Sequence, residues 1–274
     1  MLRFSPRSRT APLVAMLWVS AAAASAAHLY PETAAAWTDY VSATESRIKR
    51  ELGSPHRFLA IDFDPDAAEE RRAVLGGAIV VQQVETIDSL GGHMAVPSAL
   101  VHHWRGDALI PGMTAAQLVA RLQTDEPPRQ EDVLQARVLE RAPNRMRVYL
   151  KLQRSQFVTV VYNTEHVVTF ARDSPTRATS TSTATRIAEV SLPNTPQERE
   201  LPVGDDRGFL WRLNAYWRYE DVAGGVIAEC ESMSLSRDVP SLVRYLVSPL
   251  IESTARESMI RTLLALKAHF APGS

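Results

Sequence analysis

The apolar and polar positions of this chain fall into two regimes, helical near both ends and strand-like between them. From Pro31 to Leu52 the apolar spacing is helical. Trp37, Tyr40, Val41, Thr44 and Ile48 form one stripe, Thr33 can cap the start, and Gly53-Ser54-Pro55 ends the element. Phe58 to Phe63 is a short apolar run that leads into Asp62, Asp64 and Asp66. From Gly76 onward the period becomes two, or the run is rich in β-formers. Strands are predicted over Ala78–Ile87 and Leu100–Ile110, with Gly91-Gly92 and Pro111-Gly112 as turns. Thr114 caps a short helix that turns Leu118, Val119 and Leu122 inward, and Pro127-Pro128 breaks the chain. Further strands are predicted over Val133–Arg141, Arg145–Arg154, Phe157–Phe170, Arg177–Val190, Phe209–Glu220 and Val226–Ser236. The Thr- and Ser-rich stretch Arg177–Arg186 reads as strand rather than linker, because Thr is a good strand former and strands flank it. Short links between successive strands imply an antiparallel meander.

The chain closes on a long helical pattern, Ser241 to Phe270. Pro249 is expected to divide it, with Ser248 as N-cap. The longer piece carries Leu250, Ser253, Ile260, Leu263, Leu264 and Lys267 on one largely apolar face, with Glu252, Arg256 and Arg261 off it. A single amphipathic helix after many strands needs a sheet to lie on, so the fold class is α+β. In the last hairpin, Trp211, Leu213, Ala215 and Trp217 share one predicted face, and Arg212, Asn214, Tyr216 and Arg218 the other.

Composition changes the picture at three points. The 274 residues suffice for one large domain, or one domain with an N-terminal extension. Lys plus Arg number 30 against 31 Asp plus Glu, with no basic stripe, which excludes nucleic acid as an expected partner. The first 26 residues read as a secretory signal peptide: Arg3, Arg7 and Arg9, then apolar Ala11 to Ala24, then Ala24-Ser25-Ala26 as a small-residue cleavage site. The expected location is therefore exported, periplasmic or secreted. Cys230 is the single cysteine, so no internal disulfide is expected, and it reads as a small buried apolar side chain.

The acidic run invites two chemical readings. As a calcium loop, Asp62-x-Asp64-x-Asp66 lacks the turn glycine (Ala67) and the closing acid (Ala73). It also resembles the start of haloacid-dehalogenase-like phosphatases, with Gly204-Asp205-Asp206 as a loose echo of their metal-binding acids. Asp66 stands where that family has Thr or Val, and the α/β alternation of that fold is absent. The plainer reading is a solvated acidic loop.

Several patches carry a wider likeness: His102-His103-Trp104-x-Gly106 with Pro111-Gly112, Thr164-Glu165-His166, Arg186 to Glu189, Gly208 to Asn214, Tyr216-Trp217-Arg218, and Glu229 to Ser232 through Leu235 to Pro240. On these and the element order, the chain from about Ser98 to His269 resembles the START and birch-pollen-allergen-like (SRPBCC) superfamily, and more narrowly its exported bacterial members. One departure is the short Thr124 to Gln130 stretch, which leaves little room for a second helix at the cavity mouth. The resemblance implies a helix-grip fold, in which a curved antiparallel sheet wraps a long C-terminal helix. The expected organisation is signal peptide 1–26, N-terminal helix and strand extension 27–97, and helix-grip domain 98–274.

The resemblance further implies a cavity between sheet and helix for a hydrophobic or amphipathic, lipid-like small molecule, with transient membrane contact during exchange. The expected lining is His102, Trp104 and Leu250, with Arg212, Asn214 and Tyr216 for the polar head where their face turns inward; where Trp211 and Trp217 face inward instead, the arginines face solvent. His102 and His103 are adjacent on a strand and face opposite ways, and no metal-ligand spacing occurs, so neither metal nor cofactor is expected. No serine elbow, phosphate loop or carboxylate pair assigns a catalytic residue. The rival readings are an enzyme of cyclase or hydrolase type using the same cavity, and a partner-binding domain with a filled core.

Overall fold

A computed structural model describes residues 27–88, 90–128, 130–155, 159–238 and 241–270; the side chains of 241–252 lie outside the described set. In chain order the elements are β1 (Ala27–His28), α1 (Pro31–Leu52), a 3-10 turn (Ala60–Phe63), α2 (Ala67–Leu75), β2 (Val80–Gln83), β3 (Ala99–Pro111), α3 (Ala115–Thr124), β4 (Val133–Ala142), β5 (Arg145–Ser155), β6 (Thr159–Ser174), β7 (Arg177–Ser191), β8 (Arg199–Glu200), β9 (Asp205–Asp206), β10 (Arg212–Val222), β11 (Gly225–Arg237) and α4 (Ser241–His269). One sheet runs β2-β3-β11-β10-β7-β6-β5-β4, with β8 paired to β7, and β1 pairs with β9 apart from it. Every pairing in the large sheet is antiparallel. With α4 laid on one face, this is an α+β helix-grip fold.

Period-two side chains give the sheet two distinct faces. The register Trp104↔Ser232, Gly106↔Cys230 and Ala108↔Ala228 aligns one row, which continues through Ala215 and Trp217 of β10. That row meets α4: Trp104, Ala108, Cys230, Met259 and Leu263 form one buried cluster. Gly106 lets the helix come close, since a Cβ there would lie 2.7 Å from Leu263 Cδ1 and from Met259 Cγ. The alternate row turns to α1, where Trp37, Tyr40, Ile48, Tyr216, Met233 and Leu235 cluster. The helix α3 closes the far end of the α4 face, with Leu118 beside Ile110, Tyr219, Leu266 and Phe270. Its cap forms as read: Thr114 Oγ1 accepts from Gln117 N at 3.2 Å.

Several expectations are corrected. The backbone of α4 runs continuously through Pro249, so Ser248 is not an N-cap. A mid-helix proline costs one backbone bond and some kinking, and here the helix persists. Among its described residues the buried positions are Met259, Leu263 and Leu266, followed by Phe270 just past its end, while Leu264 is 50% exposed. The sheet contact around Gly106 sets that rotation, and helical spacing alone admits either. Leu250 falls outside the described side chains. The strand expected over Ala78–Ile87 is only four residues, Val80–Gln83. The Phe58–Phe63 run becomes a 3-10 turn because Asp62 Oδ2 accepts from both Phe58 N and Leu59 N at 3.0 Å. The acidic loop is not simply solvated: Asp62 pairs with Arg71 at 2.7 Å and Asp64 pairs with Arg105. The helix α2, which follows it, was not anticipated. The Thr-rich stretch is strand β7, and Cys230 is buried, as read.

Candidate functional site

The two faces of the sheet divide charge from apolar surface. On the α1 side, Glu231 meets His103 Nε2 at 2.7 Å and also pairs with Arg47, while His103 Nδ1 is bonded to Tyr40 Oη at 2.9 Å. Burial opposes ionisation of Glu231, yet the His103 hydrogen bond and the Arg47 charge hold its carboxyl down at about 2. Glu229 accepts from Ala60 N at 2.8 Å and Ile61 N at 3.0 Å, which fastens the 3-10 turn to β11. Arg218 donates to the Phe58 carbonyl at 2.9 Å and lies 3.4 Å from Glu229. Glu220 takes Arg71 at 2.6 Å and Arg177 at 2.8 Å. Asp107 is fully buried on the same face, and burial followed by the Glu229 charge pushes its carboxyl well up. These pairs clamp the N-terminal helices to the sheet, although both carboxylate oxygens of Asp107 and Glu231 Oε2 have no hydrogen-bond partner among the described residues.

Arg212, Asn214 and Tyr216 belong to this face, which corrects the expectation that they line the space under α4. Tyr216 Oη donates to Glu45 of α1 at 2.8 Å, and Asn214 Nδ2 donates to Tyr216 Oη at 3.4 Å. Arg212 Nη1 donates to the Trp211 carbonyl at 2.9 Å, and burial pulls its guanidinium below its usual range. Trp211 precedes β10 and also lies on the α1 side, with its Nε1 donating to Asp206 at 3.2 Å. The strand alternation was correct, but which row faces the long helix depends on how β10 is placed in the sheet.

The α4 face is a trough lined mainly by apolar, small and neutral side chains, with charge in the Glu189–Arg207 and Asp132–Arg154 pairs toward the ends of β7 and β5. Its floor includes Gly106, Ala108, Ala228, Ala215, Ser182 and Ala184, with Trp104 and Trp217 among the larger groups. Trp104 packs on this face against Met259 and Leu263 of α4. His102 Nε2 is bonded to Ser236 Oγ at 2.9 Å, and burial lowers its pKa to about 4. His166 was not singled out as a site residue. Its Nε2 lies 3.0 Å from Thr164 Oγ1 and its Nδ1 3.4 Å from Ser182 Oγ, and burial lowers its pKa to about 4. Both rings are thus neutral at neutral pH. Tyr219 Oη is bonded to Ser180 Oγ at 3.0 Å.

At the α3 end a hollow of about 130 Å³ is lined by Val119, Gln123, Asn144, Phe170 and Ala178. On the opposite side of the sheet, a wider cleft of about 380 Å³ is polar, with Arg57, Asp62, Arg71 and Glu220 on its walls. Among the described residues, no group of three or more His, Cys, Asp or Glu is placed to hold a metal ion. No described helix is long and apolar enough to cross a membrane.

A curved antiparallel sheet with α4 laid along one face is a helix-grip architecture. No protein-family model matches the chain, and no curated protein matches it in sequence. Among solved structures, it is similar to a STAR-related lipid transfer protein from Xanthomonas axonopodis at 18% identity and TM-score 0.41, over 69% of this chain and 99% of that one. It is similar to a START superfamily protein from Mycobacterium smegmatis at 9% identity and TM-score 0.36, over 63% of this chain and 96% of that one. An aromatase/cyclase from a Streptomyces species overlaps at 10% identity and TM-score 0.36, over 62% of this chain and 94% of that one. At such identities and scores, function rests on this chain's own residues.

Proposed function

We propose that the protein binds a hydrophobic or amphipathic small molecule in the trough between the sheet and α4, and carries it outside the cytoplasm. The observation that supports this is the segregation of charge. Glu229, Glu231, Arg218, Arg105 and Asp107 all face α1, whereas Trp104, Gly106, Ala108, Cys230, Ala215 and Trp217 face α4. A sheet that buries its ionic network against α1 and leaves the centre of the other face apolar, with charge there only in the Glu189–Arg207 and Asp132–Arg154 pairs near the strand ends among the described residues, suits a ligand with little charge. Small side chains along the trough floor lower it beneath the helix. The hollow of about 130 Å³ beside it, lined by α3, β6 and β7 and by no described residue of α4, is below the roughly 300–1,000 Å³ of ordinary ligand sites, so a ligand that enters there displaces α3 outward.

Saturable binding of an apolar fluorophore tests this reading, together with native mass spectrometry of protein purified from its host. Ser182→Trp, which fills the trough, should abolish fluorophore binding while the fold persists by circular dichroism. Absence of saturable binding to the wild type would overturn the proposal in favour of a filled core. The export part is supported by the tripartite N-terminus. The recovered protein should begin at or near Ala27, and an intact Met1 terminus on the cellular protein would refute it.

A further inference from the structure

Tyr162 stands out in the trough. It is fully buried among Leu152, Val160, Ile187 and Leu210, yet among the described residues its hydroxyl has no hydrogen-bond partner. An unpaired buried hydroxyl is destabilising, so its retention in an apolar cluster needs a reason. Tyr162 lies in the row that faces α4, two residues before Thr164 and opposite Leu152 and Glu189. The described part of α4 supplies no member of this cluster.

The charges around the hydroxyl decide what it would accept. Burial first, then the nearby Glu189 and Asp206, push the phenol far up, so it stays protonated and acts as a donor. The guanidiniums on this side are already used. Arg207 pairs with Glu189 through its side chain, and its backbone N–H donates to the same carboxylate at 3.1 Å. Arg154 pairs with Asp132, whose Oδ2 is also 3.5 Å from Ser258 Oγ on α4. Asp206 accepts from Gly208 N at 2.6 Å. An anionic head group would find no free cation here and would meet three carboxylates. A cationic head group would find each carboxylate already engaged and would meet the guanidiniums of Arg207 and Arg154.

We propose that Tyr162 forms the head-group subsite of the trough and selects an uncharged amphiphile, one whose hydroxyl or carbonyl oxygen accepts the Tyr162 O–H. The proposal rests on the reading of the trough as a ligand site and narrows its ligand class. The selectivity is against fatty acids and phospholipids and toward neutral alcohols, sterol-like molecules or quinone-like carbonyls.

The test uses three probes that share one chain and differ in the head: octadecanol, octadecanoate and octadecylamine, each titrated from a cyclodextrin complex at neutral pH. Wild-type protein should bind octadecanol at least about tenfold more tightly than the charged pair, the value of one good hydrogen bond. Tyr162→Phe should lose that margin, bind the charged probes as before, and unfold at the same or a higher temperature because a stranded hydroxyl is gone. Undiminished octadecanol binding by Tyr162→Phe, or tighter octadecanoate binding by the wild type, would overturn the subsite. A marked fall in the melting temperature of Tyr162→Phe would also overturn it, since the hydroxyl would then have a structural partner. If none of the three probes binds, the parent reading of the trough fails instead.

Discussion

His166 offers the most direct probe of the neutral trough, because its buried ring makes a signed prediction about acid. Its hydrogen bonds go to Thr164 and Ser182, neutral groups that do not reward a positive ring. Burial lowers its pKa from 6.5 to about 4. Between those values the unfolded chain takes up the proton and the folded chain does not. Stability from this residue is therefore complete above pH 6.5 and declines as pH falls toward 4. At about 1.4 kcal/mol per pH decade, the full loss is about 3 kcal/mol, of which about 2 kcal/mol is gone by about pH 5. His102, lowered to about 4 by the same cause, adds a similar amount. Glu231 does not confuse the window, since its contribution is present above its ordinary 4.5 and is lost only toward about 2. From about pH 7.5 to about pH 5 the wild type should lose about 2 kcal/mol more than His166→Gln in denaturant unfolding, because Asp107, whose carboxyl burial pushes up, gains stability on acidification and acts alike in both proteins. Equal losses in the two proteins would mean that His166 is solvated or has an acidic partner, and the description of its surroundings as neutral and dry would fail.

On the α1 face, Arg218→Met removes the guanidinium that holds the Phe58 carbonyl and strands Glu229, so it should cost about 3–5 kcal/mol, or roughly 2–4 °C of Tm per kcal/mol. Lys151→Ala, at the more exposed pair with Glu198, should cost under about 1 kcal/mol, and equal Tm shifts for the two would refute the buried clamp. Gly106→Ala places a Cβ 2.7 Å from Leu263 and Met259, flexible side chains that give way at about 1–3 kcal/mol; an unchanged unfolding midpoint would move α4 off β3. Leu263→Ala should cost about 2–5 kcal/mol and Leu264→Ala less than about 0.5 kcal/mol, and the reverse order in denaturant unfolding would rotate the helix.

Local periodicity was enough for most elements. The α1 boundaries, the Thr114 cap, the antiparallel order from β4 to β11 and the strand character of the Thr-rich stretch follow from spacing, turn residues and β-branching, which act over a few residues. The α+β class followed from one helical pattern after many strands. Which row of β10 faces α4 did not follow, because alternation defines two faces without naming their neighbours. Arg212, Asn214 and Tyr216 lie against α1 because the register with β11 puts them in line with Leu235, Met233 and Glu231, and α1 covers that row. The same limit explains Leu264: a helix with apolar residues on adjacent positions can be rotated, and the glycine at 106 chooses the rotation. Tyr162 and His166 were legible only as strand residues, since their burial depends on cross-strand neighbours distant in the chain. The charges paired across Asp62, Asp64, Arg105, Arg218 and Glu229 are long-range contacts that no local pattern encodes. They made an acidic stretch look like a loop when it is part of the clamp between α1, α2 and the sheet.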